Sequence, residues 1–76
     1  MLVKEKVKEV IKNILVDEDV QLNTSIHNSN KWDSLNHLKI LVGLEKEFSC
    51  TLSLDDLVEV ESVHDWVLLI EKTIRQ

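Results

Sequence analysis

Asp33, Ser34 and His37 open the run DSLNHLKILVGLEKEF, and on a helix positions 34 and 37 lie one turn apart, close enough to face each other. A carboxylate, a hydroxyl and an imidazole at that spacing invite a hydrolytic reading. Nucleophilic catalysis, however, also needs a base oriented by a third group, donors for an oxyanion and a cleft for substrate. Three residues crowded at one helix end supply none of the rest, so no self-contained enzyme is expected. If Ser34 reacts, a separate protein activates it. The position does offer a hydroxyl at a helix N-terminus, where the macrodipole and free N–H groups favour anions, including a phosphate ester on the serine itself. The plainer reading makes Ser34 a good first-turn residue and Asp33 merely a cap. Local physics leaves both open.

Other candidate chemistry is thinner. His27, His37 and His64 lack the paired spacing of metal ligands, and Cys50, the single cysteine, cannot support a structural zinc. Asp17, Asp19 and Asn23 hint at a calcium loop, but the glycine and terminal glutamate of such a loop are missing. No metal site is expected. Cys50 excludes an intramolecular disulfide, which fits a reducing compartment, and it reads as a small buried hydrophobe rather than a reactive thiol. No apolar run approaches the roughly 20 residues of a membrane span, and MLVKEKVKEV has no signal-peptide core. A cytoplasmic protein is expected.

Charge narrows the partners. Fourteen acids against nine bases give a formal net charge of −5, which disfavours nucleic acid and anionic membranes. Residues 54–66 (LDDLVEVESVHDW) hold five acids and no lysine or arginine. Asp55, Asp56 and Glu59 could steer a basic partner protein; a solvated helix face is the alternative.

The elements that must position Ser34 follow from periodicity. At 76 residues a single domain, residues 1–76, is expected, burying about 60 % of the surface its unfolded chain exposes. No proline and one glycine favour helices. Apolar residues from Leu2 to Val16 recur at steps of three and four, predicting an amphipathic helix that stops at or before Asp17-Glu18-Asp19. Residues 17–33 show no period and read as a long loop, with Leu22 and Ile26 as anchors dropping into the core. Asp33 caps a second helix beginning at Ser34, with a broad stripe of Leu35, Leu38, Leu41 or Val42, Glu45 and Phe48 that also takes in Ile40 and Leu44. Gly43 marks either close helix packing or a tolerated defect. Ser53 opens a short third helix through Val60, and Ser62 a last helix carrying Val63, Val67, Leu68, Ile70 and Ile74. The fold class is all-α: a small bundle of three longer helices and one short, with a long first loop.

That order of elements, with Asp33-Ser34-Leu35 opening the second helix and Glu47-Phe48 closing it, resembles the acyl carrier protein family across essentially the whole chain. The resemblance implies a carrier rather than a catalyst, with phosphopantetheine attached covalently to Ser34 by a separate phosphopantetheinyl transferase that uses coenzyme A. The thiol of that arm then carries an acyl or aminoacyl group as a thioester. Asp33 and Leu35 would serve recognition by the transferase and its magnesium. Leu35 and Leu38 would sit beside the arm; Trp32, Leu38, Lys39, Val42, Asp55, Asp56 and Glu59 are the candidate contacts for the arm or for acyl-loading, acyl-transfer and condensing enzymes. Trp32 fits a loop anchor better than an arm contact. A monomer is expected. Two departures bear on pathway: Lys31-Trp32 replace the glycine common before the Asp-Ser pair, and Asn36, His37 and Lys39 occupy a face usually rich in acids. Both favour a dedicated carrier in a specialised biosynthetic pathway over housekeeping fatty-acid synthesis. The alternative is an unmodified module of the same fold, acting through the acids of its third-helix region.

Overall fold

Side-chain caps set where three of the four helices begin. The computed structural model describes residues 2–75, with α1 at Val3–Leu15, α2 at Ser34–Phe48, α3 at Leu54–Glu59 and α4 at Val63–Ile74. Asp33 accepts the amide of Asn36, Ser53 that of Asp56 and Ser62 that of Asp65. Ser53 and Asp56 complete a reciprocal capping box. α1 alone starts without a side-chain cap. It ends at Val16, whose left-handed backbone (φ 54°) turns its amide back to the Lys12 carbonyl just before the acidic triplet. A β-branched residue is strained there, and Val16 holds its side chain in solvent. α2 ends the same way at Ser49. The expected all-α bundle is what forms; among the described residues the only β-type pairing is one isolated bridge, Ser25 with Ser62.

α1 packs against both α2 and α4, and α3 lies against α2. The core is built from Val7, Ile11 and Leu15 of α1, Ile40, Leu41 and Leu44 of α2, and Val63, Trp66, Val67 and Ile70 of α4. Val20, Trp32, Leu52 and Val60 close it from the connections. Several expected core positions are corrected. Ile26 is exposed; the loop is anchored by Trp32, as expected, and by Val20, which was not, with Leu22 half-buried against the core. Leu35, Leu38 and Val42 face solvent, because α2 is apolar on nearly every side and only Ile40, Leu41 and Leu44 are buried in the core. Leu68 and Ile74 are likewise exposed, and Trp66, absent from the expected stripe, is the largest fully buried side chain. Glu45, half-buried on an apolar face, accepts the Leu52 amide at 2.8 Å and so fixes the connector into α3.

Gly43 is a site of close packing. A Cβ there would lie 3.1 Å from both Ile14 Cδ1 and Val10 Cγ1 of α1. Ile14 can swing its terminal methyl, but β-branched Val10 is stiff, so the helices must part by a few tenths of an ångström. Alanine gains about 1 kcal/mol of helix propensity and loses more to overpacking, which costs about 1–3 kcal/mol. Gly43→Ala is therefore expected to lower the urea midpoint by the equivalent of about 1 kcal/mol, without a change in slope.

The long loop is fastened to α4 by backbone. Val63 donates to the Thr24 carbonyl at 2.9 Å and His64 to the Leu22 carbonyl at 3.0 Å, while Ile26 donates to the Glu61 carbonyl at 2.9 Å. Thr24 Oγ1 accepts the Gln21 amide, and Asn28 reaches both the Ser25 amide and the Asn23 carbonyl. His27 pairs with Glu61 across the same seam.

Candidate functional site

The approach to α2 is held from both sides of Ser34. Upstream, Asn36 Nδ2 donates to the Lys31 carbonyl at 2.7 Å, and Lys31 Nζ donates to the Val16 carbonyl at the end of α1. Trp32 is buried, with 4 % of its surface exposed, and roots the chain two residues before the serine. Asp33 is extended (φ −101°, ψ −177°), and its carboxylate accepts the Asn36 amide at 2.8 Å. His37 then closes the first backbone bond of the helix onto the Asp33 carbonyl at 2.9 Å.

Ser34 is exposed as the first helical residue. The capping duty falls on Asp33, so the Ser34 hydroxyl is not spent on it. The amides of Ser34 and Leu35, in the first turn, have no intrahelical carbonyl to reach, which makes the start of the helix favourable to an anion. Replacing Asp33 by alanine removes the acceptor and is expected to cost about 1 kcal/mol, visible as faster hydrogen exchange at Asn36.

Asp33, Ser34 and His37 do come together, along with Trp32 and Ile26, around an open groove of about 330 Å³. They do not form a catalytic triad. His37 Nδ1 accepts the Trp32 indole N–H at 3.0 Å, and its Nε2 lies 2.7 Å from the Leu57 carbonyl. Neither ring nitrogen is left to serve Ser34 as a base. This role for His37 was not foreseen, since it depends on a carbonyl twenty residues away. Ile26 at the groove was also missed; its exposure is what places it there.

Trp32 is thus chiefly an anchor, with part of its ring lining the groove. Beyond Ser34, Leu35 (61 % exposed), Leu38 (43 %) and Val42 (41 %) recur along one strip of α2, with Lys39 exposed among them. On α3, Asp55 and Glu59 are exposed beside the uncovered Leu54 and Val58. Asp56 differs: it is half-buried, and its carboxylate accepts the Ser53 amide at 3.2 Å, so its first task is the cap. Cys50 lies half-buried against the core, and burial, then the Glu45 charge, push its thiol up. A thiol kept protonated is a poor nucleophile toward any thioester nearby.

The family model described as the phosphopantetheine attachment site matches residues 2–70. An acyl carrier protein of Phytoplasma australiense is 33 % identical over 75 residues, covering 96 % of this chain and 99 % of that one. Among solved structures, the holo acyl carrier protein of Geobacter metallireducens has a TM-score of 0.85 at 23 % identity, covering 99 % of this chain and 88 % of its own. A putative acyl carrier protein from Mycobacterium tuberculosis gives 0.76 at 22 % identity, covering 96 % and 95 %. At those identities the structural likeness speaks for the fold alone. The sequence matches reach further: they run nearly end to end, and by them this chain belongs to the acyl carrier proteins, the family that bears a phosphopantetheine attachment site.

Proposed function

We propose that Ser34 is the attachment point of this carrier and that residues 1–76 act as one monomeric domain delivering thioester cargo to partner enzymes. The observation that carries the proposal is the division of labour at the start of α2. Asp33 caps the helix while the next residue presents an exposed hydroxyl on a rigid, anchored turn. The residues present suit the group. A phosphodiester on Ser34 would lie against the unpaired first-turn amides, and Trp32 and Ile26 offer apolar surface to the chain beyond it. The arm, when attached, supplies a thiol that holds acyl or aminoacyl groups as thioesters. The chain contributes position and effective concentration, not catalysis.

Leu35, Leu38 and Val42 form the apolar strip that partner enzymes would cover, with Lys39 on the strip and Asp55 and Glu59 on neighbouring α3 supplying charge. Helix α2 has Asn36, His37 and Lys39 where an acid-rich face would attract strongly basic enzymes. This supports a dedicated carrier in a specialised pathway over housekeeping fatty-acid synthesis, with a phosphopantetheinyl transferase and acyl- or aminoacyl-loading enzymes as partners. No helix among the described residues is long and apolar enough to cross a membrane, and the single half-buried cysteine fits a cytoplasmic setting. The test is to incubate the purified chain with a broad-specificity transferase, magnesium and coenzyme A and then weigh it intact. One added phosphopantetheine, localised to Ser34 by peptide mapping, is the expected result.

A further inference from the structure

The groove beside Ser34 ends on a row of rings. His37, one of its lining residues, has Trp32 6.0 Å away and Trp66 5.6 Å away, centroid to centroid, so the row runs from the loop through the first turn of α2 to α4. The imidazole is tied at both nitrogens: Nδ1 accepts the Trp32 indole N–H at 3.0 Å, and Nε2 lies 2.7 Å from the Leu57 carbonyl of α3. It cannot swing aside without giving up both bonds. Trp66 is fully buried, as are Ile40, Leu44, Val63 and Ile70 of the same core. An interior filled to this degree takes in no further chain unless a buried side chain leaves its place.

We propose that cargo carried on Ser34 stays outside the bundle, and that this carrier serves short or polar acyl groups rather than long alkyl chains. The proposal rests on Ser34 bearing the arm, and it narrows the class of cargo that the arm holds. A long alkyl group kept on the surface leaves its methylenes in water, where each forgoes about a fourfold gain in equilibrium constant that burial would bring. A short acyl group forgoes little. One that carries a hydroxyl or an amine is better off hydrated, since an apolar interior would leave those groups without partners. What the groove offers is Ile26 and the edge of Trp32 on the outer side of the ring row, enough for contact and not for enclosure.

A chain-length series tests this on the intact protein. The native chain is loaded by one transferase from butanoyl-, hexanoyl- or octanoyl-coenzyme A, weighed to confirm a single acylated arm, and unfolded in urea. A chain inside the bundle would raise the folding equilibrium constant about fourfold per methylene, or roughly two-hundredfold from butanoyl to octanoyl. The expected change is no more than about twofold, with retention on a hydrophobic column rising at each step as the exposed chain lengthens. A urea midpoint that climbs with chain length overturns the proposal. His37→Ala takes out the middle ring and both its bonds while leaving Asp33 and Ser34 in place. In that variant octanoyl should stabilise over butanoyl by about tenfold or more. A flat series there overturns the role of His37 as the barrier. Should His37→Ala not fold, the native series decides alone. If the native chain accepts no acylated arm from any of the three esters, the attachment reading has failed, and this proposal falls with it.

Discussion

Ser34→Ala is expected to leave a transferase reaction at its unmodified mass, under conditions in which the native chain gains one phosphopantetheine. The effect should be all or nothing, because no neighbouring hydroxyl shares the start of α2: Asp33 precedes the serine and Leu35 follows it. The loss should also be purely chemical. Asp33 makes the cap bond, Ser34 is exposed, and alanine is the better helix former, so stability should change by no more than about 0.5 kcal/mol. Circular dichroism and a thermal melt run on the same sample separate this outcome from unfolding. If biological function survived alanine at 34 but was lost on charge reversal at Asp55 and Glu59, the chain would be an unmodified interaction module.

Trp66→Ala carries the largest structural effect. The indole is fully buried in the core, its ring tilted against His37 of α2, and large-to-small truncation of such a side chain costs about 3–5 kcal/mol. A chain of this length holds a total stability on the order of 5 kcal/mol, so the variant should be largely unfolded or melt about 15–30 °C lower. Trp66→Phe separates volume from polarity. The indole Nε1 is buried without a hydrogen-bond partner among the described residues, so phenylalanine removes an unsatisfied donor while keeping most of the apolar contact. Its melt should fall far less than that of the alanine variant. Phe48, by contrast, is only half-buried at the end of α2, and its truncation should cost less than that of a fully enclosed aromatic.

Helix starts were the most legible part of this fold. Asp33, Ser53 and Ser62 act in their own turns, so a carboxylate or hydroxyl before an apolar period locates an N-terminus with no knowledge of the rest. The end of α1 before three acids was readable for the same local reason. The buried face of α2 was not. With Leu35, Leu38, Ile40, Leu41, Val42 and Leu44 on all sides, periodicity cannot choose, and the packing of the closed bundle decides which three of them are covered. The loop has no period at all, so nothing local separates Ile26, which stays exposed, from Leu22 and Trp32, and nothing marks Val20, which is buried. The place of Ser34 could be read because it is a matter of one turn. The bonds around His37 could not, because they join residues 32, 37 and 57 only after the bundle has closed.

The carbonyls of Leu22 and Thr24 take up the first amides of α4, groups a helix cannot satisfy from within. The connection before α2 and the C-terminal helix are therefore one cooperative unit. Neither can open locally without stripping the other of its partners, and residues that composition alone would mark as slack order in the same step that seats the last helix. The chain is therefore expected to unfold in a single step, the loop that leads to Ser34 and the last helix losing their protection from hydrogen exchange together.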